Sequence, residues 1–269
     1  MSSKYGIVFL ILLFIIFSCS RTQMFPDKLS EKVADENVVL NRSFIALKNF
    51  AVKDSAQIFY HGNELNELLL YKKYYDERNA AFNLVDLENA WIKLKNQRSD
   101  FNFEGIRQWI EITGFLLEIT ANARYAQELE ETVYQSSPLF TESEFREIEK
   151  LVTPWIFTKN VDHIHVNLFA NATIKYEHTM KGAVEITQET DYPKSGKIQI
   201  KFKMQTKNYI ELFICIPEWA EGATVTEKGV KYVTTPGGYS QVIRKWDEGD
   251  FVDVVLPMEK MPAYLKTGF

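Results

Sequence analysis

The chain is poor in thiols, in imidazoles and in long apolar runs, and each shortage narrows what it can be. Only two cysteines, Cys19 and Cys215, occur in 269 residues, which excludes a disulfide-stapled scaffold and a multi-cysteine metal cluster. Of the four histidines, His61 and His178 are isolated, while His163-x-His165 puts two imidazoles on one strand face. That spacing can bind zinc, but no third ligand stands near it, and a solvated sheet face accounts for it better. The formal net charge is −5 and no Lys/Arg cluster follows the chain, so nothing tracks a phosphate backbone and nucleic acid is not an expected partner. There is no Gly-x-Ser-x-Gly elbow, no Gly-rich phosphate loop and no Cys-x-x-Cys, so the sequence offers no signature of a serine hydrolase, a P-loop enzyme or a dithiol redox site.

One uncharged apolar run stands out, Ile7 to Phe17, and it is too short to cross a bilayer as a helix. Lys4 precedes it, and Ile16-Phe17-Ser18-Cys19 follows as a lipobox with a small residue before the cysteine. This pattern predicts a lipoprotein signal over residues 1–18 and lipid on Cys19. A diacylglycerol thioether with an N-acyl chain buries methylenes worth about 0.8 kcal/mol each, enough for stable anchoring. The expected address is the bacterial cell envelope, lipid-anchored and facing periplasm or surface, with the membrane as partner through the N-terminal lipid. An ordinary secretory signal or a short N-terminal anchor is the alternative. With Cys19 acylated, Cys215 is the only thiol left and no internal disulfide can form.

Residues 19–42 are polar, contain Pro26 and show no sustained period, so they read as a tether. Over residues 43–158 the pattern is helical. Leu65, Leu68 and Leu69 share a face, as do Leu84, Leu87, Trp91 and Leu94, then Ile106, Trp109, Ile110, Leu116 and Leu117, then Ala123, Ala126, Leu129 and Val133. Thr141 with Glu144 fits a capping box before Phe145, Ile148, Leu151 and Val152, and Pro154 ends that helix. After Lys159 the period changes to two. Ile164, Val166 and Leu168 alternate with polar residues, as do Ile198, Ile200 and Phe202, then Ile210, Leu212, Ile214 and Ile216. The fold class is therefore α+β: an N-terminal α-helical domain followed by an antiparallel β-sandwich domain over residues 159–269.

Three stretches, opening at Ile119-Thr120-Ala121-Asn122-Ala123-Arg124-Tyr125, Val166-Asn167-Leu168-Phe169 and Ile216-Pro217-Glu218-Trp219-Ala220, resemble glycoside hydrolase family 127, the β-L-arabinofuranosidase-like enzymes. The first is Ile119-Thr120-Ala121-Asn122-Ala123-Arg124-Tyr125 with Leu129-Glu130-Glu131-Thr132-Val133-Tyr134, similar to a family helix pair that opens Leu-Thr-Gly-Asp-Ala-Arg-Tyr. The second is Val166-Asn167-Leu168-Phe169 followed by Gln188 to Pro193 and Gly196. The third runs from Ile216-Pro217-Glu218-Trp219-Ala220 through Gly238-Tyr239 and Trp246 to Asp250, ending at Leu256-Pro257-Met258. The resemblance covers about residues 100–260 and implies the end of an (α/α)6 barrel plus the start of a β-sandwich, a fragment of the family's length. Lys194 departs from the pattern, standing where the family usually has Trp. Strands missing after Met258 would leave an open sheet edge, and self-association or a partner chain there is expected.

The resemblance also implies a zinc held by one glutamate and three cysteines, with a cysteine as nucleophile and a second glutamate as acid. No cysteine lies between Ser20 and Ile214. The family's Glu-x-Cys falls near Asn102-Phe103-Glu104, and its Cys-Cys pair near Ser136-Ser137 or Leu139-Phe140. The expectation is a chain without zinc or other cofactor and without catalytic residues, linked to arabinose-containing carbohydrate by ancestry. Cys215, beside Glu211 and Phe213 on a strand face, reads as an ordinary strand cysteine. Glu111 and Glu118, seven apart, could mimic paired glycosidase carboxylates, although a solvated helix edge fits them better. Trp219, Tyr239 and Trp246 could stack on an oligosaccharide if exposed, and core packing is the favoured reading. Rival readings are a carboxylate glycosidase, a site completed by another chain, and a decayed gene fragment.

Overall fold

The computed structural model describes residues 28–32, 37–41, 62–136, 139–178 and 182–266. Cys19, the apolar run before it and His61 lie outside them. Among the described residues five α-helices precede the main run of strands: α1 (Gly62–Asp76), α2 (Leu84–Lys95), α3 (Phe103–Thr120), α4 (Ala123–Ser136) and α5 (Glu142–Val152). Their starts are written in the sequence. Asn83 caps α2 by accepting from the N–H groups of Val85 and Asp86, Asn102 caps α3, and Thr141 with Glu144 forms the expected capping box on α5. Most of the expected apolar stripes are buried, among them Leu65, Leu87, Trp91, Trp109, Leu117, Leu129, Phe145 and Ile148.

From Phe157 to Val255 the regular elements are strands. β3 (Phe157–Asn160), β4 (His163–Val166), β8 (Asn208–Cys215) and β11 (Tyr239–Trp246) belong to one sheet. β5 (Ala172–His178), β6 (Gly182–Thr190), β7 (Lys197–Met204), β9 (Thr224–Glu227), β10 (Val230–Tyr232) and β12 (Phe251–Val255) belong to the other. Every ladder is antiparallel except β4 with β8, which is parallel. Trp246 of the first sheet stacks on Phe202 of the second, ring centroids 3.9 Å apart and 14° from coplanar, so the sheets pack face to face. The fold is thus α+β, helices followed by a mostly antiparallel sandwich.

The tether expectation needs correction. β1 (Glu31–Lys32) pairs with β3, and β2 (Val38–Leu40) pairs with β5. Two described stretches of the expected tether, 28–32 and 37–41, thus line one edge of each sheet, covering N–H and C=O groups that β3 and β5 would otherwise present to solvent. Strands of two and three residues are too short to print a period in the sequence. The same segment is pinned to α3: the Ser30 N–H donates to the Glu118 carbonyl at 2.9 Å, and Lys28 pairs with the Glu118 carboxylate at 2.6 Å.

The last described element after β12 is a short helix, α6 (Ala263–Lys266), which packs on α4 with Leu265 fully buried. β11 is the outer strand of its sheet on the side away from β1. Among the described residues no helix is long and apolar enough to cross a membrane. The helical and sheet layers meet where α3 passes Trp155. A Cβ on Gly114 would lie 2.2 Å from that indole, so only glycine lets the ring seat there.

Candidate functional site

The segments where the resemblance implies metal ligands lie side by side, and rings fill the contact. Phe103, at the start of α3, meets Phe140, between α4 and α5, edge to face with centroids 5.5 Å apart. Phe140 is buried. The Asn102 side chain accepts from the Gly105 N–H at 2.8 Å as a helix cap. Glu104 is exposed and pairs with Arg107 at 3.1 Å. The Ser136 hydroxyl donates to the Thr132 carbonyl at 2.5 Å, Leu139 is exposed, and Ser137 lies outside the described residues. These groups do not fit a zinc thiolate centre. Among the described residues no cluster of three or more His, Cys, Asp or Glu side chains is arranged to hold a metal ion.

Several carboxylates of the helical layer are held by cations from neighbouring elements. Glu128 is buried and bound by Arg98, by Lys95 at 2.8 Å and by the Trp109 indole N–H at 3.1 Å. Arg98 also reaches Glu131 at 2.8 Å and Gln135 at 2.6 Å. Glu118 and Glu111 do not form a pair. Glu111 is exposed, whereas Glu118 is buried and held by Lys28, by the Trp155 indole N–H at 3.3 Å and by the Lys32 backbone N–H at 3.3 Å. Neither the glycosidase reading nor the solvated helix edge describes Glu118, which ties β1, α3 and Trp155 together.

A second carboxylate, Glu130, was not flagged by the sequence. It is buried on α4 against the sandwich, where its Oε1 accepts from the Tyr192 hydroxyl at 2.9 Å. Burial pushes this carboxyl up to about 7, opposed by the Tyr192 hydrogen bond and reinforced by the neighbouring Glu131. The stripe Ala126, Leu129, Val133 already places position 130 on the buried side of α4, and that was the available signal. Cys215 is buried near it, and burial first, then Glu130, raises its thiol well above the ordinary range. It is a protonated core thiol, as an ordinary strand cysteine would be.

The histidine pair divides. His163 is partly exposed and stands 3.1 Å from Glu211. His165 is buried, stacked on Phe213 with centroids 4.6 Å apart and in edge contact with Tyr239. Burial, with His163 nearby, lowers its imidazole to about 4, so it is neutral at neutral pH and the solvated-face expectation fails for it. The aromatic candidates are structural in two cases of three. Trp246 is fully buried, its indole N–H donating to the Ile210 carbonyl at 2.9 Å. The Tyr239 hydroxyl donates to Asn167 Oδ1 at 2.6 Å. Trp219 is half-buried beside α4, where its neighbour Glu218 donates its backbone N–H to Gln127 at 3.1 Å.

Residues 163–258 match the family model of the β-L-arabinofuranosidase GH127 middle domain. Solved structures similar to the chain include one described as a glycoside hydrolase, at 23% identity and TM-score 0.48, covering 58% of this chain and 32% of that one. A GH127 β-L-arabinofuranosidase from Geobacillus stearothermophilus T6 is similar at 22% identity and TM-score 0.47, covering 57% and 30%. A further GH127 β-arabinofuranosidase is similar at 20% identity and TM-score 0.48, covering 58% and 31%. The chain spans about a third of the length of these structures. No curated protein sequence matches it.

Proposed function

Because residues 163–258 carry the family 127 middle-domain pattern, we propose that the chain is an exported, lipid-anchored relative of the β-L-arabinofuranosidases that is associated with carbohydrate and does not cleave it. The observation that carries this reading is the contact of Phe103 with Phe140 at the place where thiolate ligands are implied. A cysteine nucleophile needs a thiolate, and a zinc or another positive group to hold it ionised. The only cysteine among the described residues, Cys215, sits in an environment that keeps it protonated. Glycosidase chemistry by carboxylates needs two acids facing one cleft. Glu118 is committed to Lys28 and Trp155, and Glu104 pairs with Arg107 on the surface. The lipid anchor is supported by the run Ile7 to Phe17 and the Ser18-Cys19 pair that follows it.

The test is metal content and turnover of the purified protein. Zinc should be far below one equivalent, and an aryl β-L-arabinofuranoside should not be cleaved above a heat-killed control. Turnover abolished by Glu104→Gln or Glu111→Gln would sink the reading and establish carboxylate catalysis. Labelling with a palmitate analogue tests the anchor: label should disappear in Cys19→Ala, and undiminished label would refute the lipobox.

A further inference from the structure

The outward face of the sheet that holds β4, β8 and β11 is covered at one end and bare at the other. Along β8 its side chains pass from buried Cys215 through half-buried Phe213 and Glu211 to exposed Tyr209, while Ile210, Leu212 and Ile214 are fully buried on the inward side. β11 lies beside it in register, Ile243 opposite Glu211 and Lys245 opposite Tyr209, both exposed. β4 runs the same way, from buried His165 to partly exposed His163. The covered end is the one where Cys215 lies near Glu130 of α4.

The bare end adjoins the turn between β3 and β4. The Glu211 N–H donates to the Asp162 carbonyl at 2.9 Å, which sets β8 against that turn. Leu29 stands at the turn's other flank, its carbonyl accepting from Asn160 Nδ2 at 3.3 Å. Leu29, Val161, Tyr209 and Ile243 thus gather four large apolar side chains, each 40–60% exposed, at one end of the sandwich. Val161 turns with φ 48°, where glycine or asparagine would be less strained, so turn geometry does not account for an apolar residue at the tip. The acids of the turn and of β8 are both engaged. Glu211 accepts from the Tyr209 hydroxyl at 2.8 Å and stands 3.1 Å from His163, and Asp162 stands 3.1 Å from His178.

What covers this patch follows from where the chain enters it. Lys28 is nine residues beyond Cys19, and nine residues reach at most about 30 Å. A lipid on Cys19 therefore keeps Leu29 within that distance of the bilayer, at the root of the tether. One anchor limits distance but leaves orientation open; an apolar patch at its root fixes both. Aliphatic side chains, a tyrosine ring and a marginal lysine, Lys245, suit the headgroup boundary, where tyrosine is at home and lysine keeps its ammonium in water. We propose that the end of the sandwich bearing Leu29, Val161, Tyr209 and Ile243 lies against the membrane surface and orients the anchored protein. The inference rests on the lipid anchor proposed above.

The experiment places a fluorophore on the full-length acylated protein at Val161→Cys and, as reference, at Val230→Cys on β10, both exposed positions; Cys215 is buried and takes no label. Each protein is bound to phosphatidylethanolamine–phosphatidylglycerol vesicles with and without a nitroxide-bearing phospholipid, and acylation of Cys19 is scored with a palmitate analogue in the same samples. Quenching at position 161 should be at least threefold that at 230. Tyr209→Ser with Ile243→Ser, added to Val161→Cys, should halve it or more with Cys19 labelled as before. Equal quenching at the two positions, or quenching undiminished by the double substitution, in protein that is acylated on Cys19 would overturn the membrane face and leave the anchor standing. Absence of acyl label on Cys19 would overturn the anchor, and the face with it. Shielding of the fluorophore at 161 from aqueous iodide in the absence of vesicles would assign the patch to a second copy of the chain and overturn the proposal.

Discussion

In the sheet half, the residues that carry the family resemblance hold one another. Asn167 donates to the Trp155 carbonyl at 3.0 Å and to the Thr158 hydroxyl at 3.1 Å, and accepts from Tyr239. Gln188 donates to the Leu168 carbonyl at 3.1 Å, Thr190 to the Lys197 carbonyl at 2.8 Å, and the Leu256 N–H to the Gly196 carbonyl at 2.8 Å. In the helical half, the positions to which chemistry would be carried over are a cap, a surface pair and two packed rings. The residues by which a family is recognised are here the ones that fold the sandwich. A fold held by such residues does not by itself fix a chemistry.

The sharpest way to break that comparison is to enlarge one glycine in each half. A Cβ on Gly196 would lie 2.0 Å from the Leu256 carbonyl oxygen, a backbone atom fixed by β12. One on Gly114 would meet the Trp155 side chain, which can shift. Gly196→Ala should cost about 3 kcal/mol or more, and Gly114→Ala about 1–3 kcal/mol, by denaturant titration. Equal costs would show that the sheet half is no more tightly knit at its motif residues than the helical half.

Much of this architecture was legible, for stated reasons. The helical stripes and the alternation of Ile198, Ile200 and Phe202 print their period because each element buries one face over many residues. Thr141 with Glu144, and Pro154 after Val152, print a start and a stop. Illegible were features set by contacts distant in sequence. Glu118 is drawn inside by Lys28, ninety residues earlier as Lys28 to Glu118 counts, and β2 is defined by its pairing with β5. His165 alternates like a solvent-facing residue but is covered by Phe213 and Tyr239. The contact of Phe103 with Phe140 joins residues 37 apart and has no period to announce it.

The joint between the halves can be tested through Glu130. Its carboxyl titrates near 7 when folded and near 4.3 when unfolded. Between these values the native state binds the extra proton, so stability is greatest below about pH 4.3, falls as pH rises, and levels off above 7. The part lost is on the order of 3 kcal/mol. Glu130→Gln should flatten this decline, stabilising the protein at pH 8 and changing little at pH 4. A pH-independent difference between the two proteins would mean that the carboxyl is hydrated and not buried against Tyr192.

A smaller effect is expected at the contact between two motif stretches of the sheet half. Tyr239→Phe removes the donor to Asn167 Oδ1 while keeping the ring against His165. Leaving a buried amide oxygen unpaired should cost about 1–2 kcal/mol, read as a lower denaturation midpoint with unchanged slope. No loss would mean that water replaces the hydroxyl, and that this motif contact is dispensable.

The smallest effect has the opposite sign and falls in the helical half. Ala121 ends α3 in the left-handed conformation, φ 46° and ψ 33°, with its N–H donating to the Leu117 carbonyl at 2.8 Å. The family pattern has glycine at this place, and glycine adopts the conformation without the Cβ clash that burdens alanine. Glycine is also looser in the unfolded chain, which offsets part of the relief. Ala121→Gly should therefore stabilise by about 0.5–1 kcal/mol, measured as a raised midpoint. In the sheet half the motif residues are retained and their loss is costly; at Ala121 the motif residue is already replaced, and restoring it should help. A destabilised Ala121→Gly would mean that the alanine methyl contributes packing at the α3–α4 corner, and that this departure from the pattern is itself structural.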